Sequence, residues 1–253
     1  MNITIITVCY NAEKTIRDTI ESVLGQTYQN LDYLIVDGGS KDGTLAIIQE
    51  YAGRLRYVSE RDRGIYDAMN KGIAMAAGEL IGTLNADDVY EDASVLERVA
   101  EVFTDSTVDA CFADLVYVRQ DDTSKIVRYW QSSDYRQGGF RSGWVPAHPT
   151  FFTRKVVYER HGYFNLNYRI AGDFELMFRL IELNQVKTKY IPRVLVRMRL
   201  GGESNKSLAN LVRQNREIWT ALKGAYPELY WPRFLVAKIF SKCAQFLRRP
   251  STG

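Results

Sequence analysis

The sequence contains little of what disulfide-bonded, metal-clustered or membrane-spanning proteins need. Its three cysteines, Cys9, Cys111 and Cys243, are odd in number, far apart and not in metal-ligand spacing, so we expect reduced thiols in a cytoplasmic protein. The apolar runs are strand-sized, far from the roughly 18 residues that cross a bilayer. The N-terminus also lacks the basic start and the small-residue cleavage site of a signal peptide. These absences favour a cytoplasmic protein over a secreted or membrane-spanning one.

Basic and acidic residues are distributed unevenly along the chain. Residues 205–253 hold nine Lys or Arg against two Glu, a balance of +7, which leaves −4 of the total of +3 for residues 1–204. Because the body is slightly acidic, nucleic-acid binding by it is disfavoured. The 253 residues, 46% of them apolar, suffice for a large single domain or a domain with an appendage.

Strand and helix patterns alternate along the first 105 residues. Apolar, β-branched runs at 3–8, 33–36, 55–58 and 80–84 predict strands, and residues with helical spacing lie between them. This alternation indicates an α/β fold with a doubly wound, largely parallel sheet. Ligands of such sheets bind beyond the carboxyl ends of the strands. Tyr10, Asp37 and Asp87 follow three of these ends, so one pocket is expected to collect them.

The pattern changes after about Asp105. Strands are predicted at 110–118, 126–130 and 194–198, with a helix at 173–183. Two further helices are expected at about 207–222 and 233–247. A dinucleotide-dependent oxidoreductase is excluded, because the first strand is followed by VCYNAEKT and not by Gly-x-Gly-x-x-Gly.

Four segments in order resemble family 2 glycosyltransferases with a GT-A fold: TVCYNAEKTIRDTIESVLGQTY, IVDGGSKDGT, GIYDAMNKGIAMAAGELIGTLNADD and AGDFELMFRL. The resemblance covers about residues 3–203 and is greatest to bacterial enzymes that build polysaccharide repeat units. It implies a GT-A domain over 1–204, with a nucleotide-binding half at 1–105 and an acceptor half at 106–204. Residues 205–253 would then form a basic amphipathic helical extension.

The resemblance also implies the reaction. A family member transfers a sugar, with inversion, from a nucleotide diphosphate sugar to an acceptor hydroxyl, with Mn²⁺ or Mg²⁺ as cofactor. A UDP-sugar donor and a glycan or lipid-linked acceptor are favoured, with the protein at the inner face of the membrane and a homodimer as an option. The rival hypothesis is a non-catalytic nucleotide-sugar-binding or scaffold protein with the same fold.

Two adjacent carboxylates at the end of the predicted strand 80–84 call for a positive partner, since like charges repel in a low-dielectric place. Asp87 matches the metal-ligand aspartate of the family, and Asp88 would act as an outer ligand. A hard cation bound by oxygen ligands would also neutralise a diphosphate leaving group. The chain departs from the family at Asn85, where an aspartate is common, which predicts weaker metal binding because an amide adds no charge.

Further residues match donor-binding positions of the family. Tyr10 would contact the base and Asp37 would accept a hydrogen bond from it, and the complete predicted set is Thr7, Val8, Tyr10, Asp37, Asp62, Lys71, Asn85 and Ala86. Alternatives remain for three of them: an ordinary aromatic at a strand end for Tyr10, a turn-forming carboxylate for Asp37, and a solvated surface lysine for Lys71.

Asp173 matches the catalytic base of the family, which takes the proton of the acceptor hydroxyl. The alternative is that Asp173 only stabilises the start of a helix through its negative charge. Glu175 is a weaker candidate for the base than Asp173. His148 is either an acceptor contact or a structural histidine. Residues 199–205 resemble a loop that closes over the donor, with a plain glycine turn as the rival.

The C-terminal tail carries apolar residues that can gather on one side of a helix, flanked by basic ones. They are Trp231, Phe234, Leu235, Ile239, Phe240, Phe246 and Leu247, with Lys238, Lys242, Arg248 and Arg249 around them. This pattern is typical of a helix that lies in a membrane interface. Docking on the enzyme's own body or on a second subunit would use the same stripe.

Overall fold

The computed structural model describes residues 1–201, 207–232, 234–236 and 245–246. In this part of the chain nine strands form one sheet. The strands are β1 Ile3–Cys9, β2 Leu31–Asp37, β3 Arg56–Ser59, β4 Leu80–Thr83, β5 Val89–Tyr90, β6 Ala110–Val118, β7 Ile126–Trp130, β8 Phe152–Arg154 and β9 Thr188–Arg199. The helices are α1 Ile16–Leu24, α2 Thr44–Gln49, α3 Ile65–Met75, α4 Val95–Val102, α5 Lys155–His161, α6 Gly172–Met177 and α7 Leu208–Ala225.

The sheet has a parallel half and a mixed half. Its order is β3-β2-β1-β4-β8-β6-β9-β5, with β7 paired to β6 outside this path. Strands β1 to β4 run parallel to one another. Strand β8 is antiparallel to both β4 and β6, β5 is antiparallel to β9, and β9 is parallel to β6. The predicted parallel sheet is therefore confirmed for the first half, whereas the second half is mixed.

Both faces of the sheet are covered, which explains why β1 lacks an alternating pattern. Ile3 and Ile5 face one apolar cluster with α1, α2 and α4. Ile6 and Val8 face a second cluster with α3, α5 and α6. A buried strand between two layers of helices thus places its carboxyl end, and the residues that follow it, at one edge of a rigid core.

The predicted strands β1, β2, β3, β4, β6 and β7 are all present, with two of them at the predicted bounds. The short strands β5 and β8 were not predicted, and the helix predicted at 173–183 is α6 followed by a π-helical turn, Phe178–Leu183. The strand predicted at 194–198 is longer, because β9 starts at Thr188 and includes Arg199. Arg199 is therefore a strand residue and not the first residue of a loop.

Helix α7 packs on the body of the protein. Ile218 and Leu222 are buried in the same apolar cluster as α6, and Phe234, 2% exposed, joins them. The ring of Trp231 stacks on Phe234 with centroids 5.1 Å apart and meets Trp219 edge-on at 4.9 Å. This arrangement matches the docking alternative for the start of the tail. The domain boundary at 204 stays a prediction, although α7 shares its core with the acceptor half.

Seven tail residues of the predicted membrane-binding stripe lie outside the described residues: Lys238, Ile239, Phe240, Lys242, Leu247, Arg248 and Arg249. In the ranges that the structure does describe, no helix is both long enough and apolar enough to cross a bilayer.

Candidate active site

The carboxyl ends of β1, β2 and β4 meet at one edge of the sheet, as predicted. Cys9, the last residue of β1, pairs with Asp37 at the end of β2, and the pairing of β1 with β4 ends at Ile6 and Thr83. The backbone of Thr7 and Val8 therefore has β2 on one side and no strand on the other. Their side chains are buried, so a donor contact of these two residues would use the backbone, as predicted.

Asp37 faces into the protein. Its side chain is fully buried, and its carboxylate accepts hydrogen bonds from Ser59 Oγ at 2.6 Å and from Ser40 through both the backbone nitrogen and Oγ. These bonds fix the turn between β2 and α2, which is the turn-forming alternative for this residue. A contact between Asp37 and a nucleotide base stays a prediction, and the described geometry leaves no exposed carboxylate oxygen for it.

Asp62 lies next to Gly38, the residue that follows Asp37. A Cβ atom built on Gly38 would lie 2.5 Å from Asp62 Oδ2 and 3.5 Å from the ring of Tyr10. Glycine at position 38 therefore allows the Asp62 carboxylate to lie beside Tyr10. Asp62 Oδ1 accepts from Gly64 N at 2.8 Å, and Tyr10 is 59% exposed. An exposed aromatic ring and a carboxylate oxygen thus share this edge of the sheet.

Lys71 on α3 is held by the segment that follows β3. Its Nζ lies 2.7 Å from Glu60 Oε1 and donates to Arg61 O at 3.0 Å. The hydrogen bond to Glu60 raises the pKa of Lys71. The predicted phosphate contact would require the lysine to exchange these partners, and it stays a prediction.

Residues 85–88 form a turn directly after β4. Asp88 is fully buried, and its carboxylate accepts from Arg199 N and from Asn85 Nδ2, each at 3.3 Å. Burial, and then the charge of Asp87, raise the pKa of Asp88 well above its usual range. The amide of Asn85 donates a hydrogen bond that an ionised aspartate could not donate, so the departure from the family at this position fits the buried Asp88. Ala86, also predicted in the donor site, is buried within the turn.

Arg199 is the positive group that the structure places behind this turn. Its guanidinium donates to Asp87 O at 2.8 Å and pairs with Asp18 Oδ2 at 2.5 Å, and its side chain is buried. The resemblance placed Arg199 at the start of a loop over the donor, and not behind the turn 85–88. No local signal predicts its contact with Asp88, which lies 111 positions earlier in the chain.

The side chains of the turn 85–88 supply only part of the ligands that a divalent metal needs. In the described chain no group of three or more His, Cys, Asp or Glu side chains is arranged to hold a metal ion. Asp87 is partly exposed, whereas Asp88 faces inward. Mg²⁺ and similar ions are commonly held by one or two carboxylates plus the phosphates of a substrate. The turn could therefore hold such an ion through Asp87, with Asp88 as a buried support, if a diphosphate supplies further oxygen ligands.

Asp173 lies at the start of α6 and lines a small cavity with His148 and Thr83. Its Oδ2 is 3.1 Å from His148 Nδ1, and its Oδ1 accepts from Phe174 N at 2.8 Å and lies 3.4 Å from Tyr66 Oη. Ala171, the residue just before α6, makes no side-chain hydrogen bond that would cap the helix. The contact between Asp173 and His148 was not predicted, because α6 and the turn that carries His148 are separate segments of the chain.

Other groups near α6 have structural partners. Glu175 is buried and pairs with Arg179 at 2.8 Å, which agrees with its lower rank as a candidate base. Glu217 on α7 accepts hydrogen bonds from the backbone nitrogens of residues 169, 170 and 171, at 3.1, 2.9 and 2.8 Å. Helix α7 therefore fixes the segment that leads into Asp173.

The turn 85–88 and the start of α6 lie at the same end of β4. Thr83, the last residue of β4, lines the cavity beside Asp173, and the turn follows this strand directly. Burial raises the pKa of Tyr117 on β6 most, Arg128 lowers it, and the charges of Asp88 and Asp173 add smaller increases.

Comparisons with known proteins show the family of the chain. The family model for glycosyl transferase family 2 matches residues 4–164. A PGL/p-HBAD biosynthesis glycosyltransferase of Mycobacterium tuberculosis is 31% identical over 191 residues, which are 74% of this chain and 72% of that protein. Chondroitin synthase of Pasteurella multocida is 28% identical over 210 residues, which are 82% of this chain but 21% of that protein.

Solved structures share the fold at lower identity. The S. aureus TarS 1–349 complex with UDP-GlcNAc has a TM-score of 0.67 at 18% identity, and covers 98% of this chain and 72% of that one. The mannosyltransferase PcManGT of Pyrobaculum calidifontis, in complex with GDP-Man and Mn²⁺, has a TM-score of 0.66 at 19% identity, and covers 96% and 74%. The chain therefore belongs to glycosyl transferase family 2 and is a glycosyltransferase with a GT-A-like fold.

Proposed function

We propose that this glycosyltransferase moves a sugar, with inversion and with a divalent metal, from a UDP-sugar to a hydroxyl group of a glycan or lipid-linked acceptor. The observation that carries the proposal is the position of two carboxylates at the carboxyl-terminal end of β4. Asp87 lies in the turn that follows this strand, and Asp173, at the start of α6, lines a cavity together with Thr83, the last residue of β4. Donor and acceptor chemistry need such groups on opposite sides of one cleft.

In this mechanism Asp173 accepts the proton of the acceptor hydroxyl while that oxygen attacks the anomeric carbon and the nucleoside diphosphate leaves. A carboxylate is a much weaker base than an alkoxide, so the proton moves late, together with bond formation. A Mn²⁺ or Mg²⁺ ion bound through Asp87 would offset the charge of the diphosphate. The buried Arg199 holds the Asp87 carbonyl through its guanidinium and the Asp88 carboxylate through its backbone nitrogen.

Donor recognition is assigned to Tyr10 and Asp62. The exposed Tyr10 ring offers a surface on which a base can stack. The Asp62 carboxylate beside it accepts hydrogen bonds, so it suits an N–H on the base edge. Uracil, thymine and guanine present such an N–H, whereas the corresponding ring nitrogens of cytosine and adenine are acceptors. UDP is preferred among the three because TarS, a structural neighbour, was crystallised with UDP and with UDP-GlcNAc.

The proposal is tested by a donor screen. The purified chain is incubated with Mn²⁺ and with UDP-, dTDP-, GDP-, CDP- or ADP-sugars, and nucleotide release is measured. We expect the fastest release from a UDP-sugar and the slowest from CDP- and ADP-sugars, because their base edges repel Asp62. Equal release from all five donors would contradict the base assignment, and no release from any donor in the presence of candidate acceptors would contradict the transfer itself.

The base contact has its own test at Asp62. Asp62→Ala should weaken UDP binding about tenfold, since a hydrogen bond to a charged group contributes about 1.5 kcal/mol or more. Asp62→Asn should weaken it less, because the amide oxygen still accepts. The measurement is the Kd for UDP by calorimetry in the presence of Mn²⁺, with Asp67→Ala as a control from the neighbouring Arg63 ion pair. An unchanged Kd for Asp62→Ala would contradict a contact between Asp62 and the base, and would leave Asp37 as the predicted contact.

A location at the inner face of the membrane is proposed for the case of a lipid-linked acceptor. The support is the surplus of basic residues after residue 204. Trp231 and Phe234 are engaged with the body, so membrane contact would rely on residues further along the tail.

A further inference from the structure

The contact between His148 and Asp173 can fix the orientation of the Asp173 carboxylate. Both side chains are about one quarter exposed, and Nδ1 of the imidazole lies 3.1 Å from Oδ2. His148 begins a 3₁₀ turn with Pro149 and Thr150. The hydroxyl of Thr150 contacts the backbone of Ala113 at 3.0 Å, both accepting from its nitrogen and lying against its oxygen. The turn that carries His148 is therefore fixed to the buried strand β6.

The other oxygen of Asp173 is held separately. Oδ1 accepts from Phe174 N at 2.8 Å and lies 3.4 Å from the hydroxyl of Tyr66, which itself donates to Ile170 O at 2.8 Å. A carboxylate oxygen offers two lone pairs. Phe174 N occupies one lone pair of Oδ1, and His148 occupies one lone pair of Oδ2, which keeps its second one. Rotation of the carboxylate would break contacts at both oxygens.

The surroundings of the His148–Asp173 pair are largely apolar. A cavity of about 20 Å³, room for about one water molecule, lies beside the pair, and Met69, Phe151, Phe164, Leu176 and Met177 line it with apolar groups. Hydrogen bonds are stronger in such surroundings, and fewer waters compete for the carboxylate. A hydroxyl that approaches from the cleft then finds a single open acceptor position on Oδ2.

We propose that His148 is a positioning residue: its Nδ1–H donates to Asp173 Oδ2 and directs the remaining lone pair of that oxygen toward the acceptor hydroxyl. The inference rests on the proposed role of Asp173 as the base. His148 itself takes no proton from the substrate in this scheme. Its effect is geometric, because misplacement of a catalytic group by about 1 Å can lower the rate about a hundredfold.

The test compares substituted side chains whose nitrogen atoms stand at different numbers of bonds from Cα. The amide nitrogen of asparagine stands as many bonds from Cα as Nδ1 of histidine, and that of glutamine stands as many as Nε2. We expect His148→Ala to lower kcat for transfer about 10- to 100-fold with an unchanged Kd for UDP. His148→Asn should recover most of the rate, whereas His148→Gln should not. His161→Ala, at the only other histidine of the chain, should stay within about twofold of the wild type.

Two results would overturn the inference. One is a kcat of His148→Ala within about twofold of the wild type, and the other is an equal loss in the Ala, Asn and Gln variants, which would assign the imidazole a role beyond its Nδ1–H. Thermal denaturation of all variants accompanies the kinetics, and if the Ala variant does not fold, the comparison of Asn with Gln decides. Asp173→Asn is measured alongside: full activity there would reject the base assignment itself, whereas an inactive Asp173→Asn beside a fully active His148→Ala rejects only the positioning role.

Discussion

Replacement of Asp173 with asparagine should lower kcat by about two to four powers of ten, the usual contribution of a general base, while the Kd for UDP changes little. The amide keeps an oxygen that can accept from Phe174 N, so the start of α6 should survive. It cannot take up the acceptor proton at neutral pH. Steady-state kinetics with a saturating donor, together with UDP calorimetry, separate the two effects.

The control for this variant is Glu175→Gln, two residues along the chain. Glu175 is paired with Arg179 and buried, so its loss should lower thermal stability while transfer per folded molecule stays near the wild-type rate. A loss of less than about tenfold in Asp173→Asn would contradict the assignment and direct attention to another carboxylate.

Replacement of Asp87 with alanine should abolish metal-dependent transfer and weaken donor binding while the fold is retained. A metal that offsets diphosphate charge stabilises the transition state by several kcal/mol, so we expect a loss of about a thousandfold or more. The backbone carbonyl of Asp87, which accepts from Arg199, is still present in the variant. Transfer and UDP binding are measured across a range of Mn²⁺ concentrations.

Two comparisons sharpen this test. Asp92→Ala removes a carboxylate of the next turn, which pairs with Arg98 near the surface, and should leave both activity and UDP binding unchanged. The wild-type enzyme in excess chelator should resemble Asp87→Ala. If either the variant or the chelated enzyme transfers sugar at the full rate, Asp87 is not a required metal ligand.

The sequence was sufficient to predict those elements that have strong local patterns. Strands β6 and β7 have the predicted bounds, and the carboxyl ends of β1, β2 and β4 meet as expected. Strands β5 and β8 are two and three residues long, too short to show any period. They exist because distant strands offer them hydrogen-bonding partners, which no local pattern encodes.

The same limit applies to the candidate site. Asp37 was predicted from its position at a strand end, but the structure turns its carboxylate toward Ser40 and Ser59. Side-chain direction at such a turn depends on contacts across the chain. Asp62 beside Gly38, and His148 beside Asp173, are contacts of this kind. The residue types of a site could be predicted, whereas their partners required the fold.

Tail helix α7 illustrates a third case. A helix at about 207–222 was predicted, and α7 spans Leu208–Ala225, but a helical pattern does not say what covers the apolar side. In the structure Ile218 and Leu222 are buried against α6, and Glu217 holds the backbone before Asp173. Apolar residues on a helix predict burial, and only the packing shows against which surface.

The pairing of β5 with β9 limits the order in which parts of the sheet can fold while the chain is being synthesised. Val89 is registered with Arg197, and Arg199 reaches back along the same strand to the carbonyl of Asp87. Contacts over so many residues form late, because a long loop must close first. The parallel strands β1 to β4 need no later residue than Thr83 to pair with one another. A nascent chain can therefore pair four of the nine described strands before β9 is synthesised, and the turn 85–88 gains its contacts with Arg199 only afterwards.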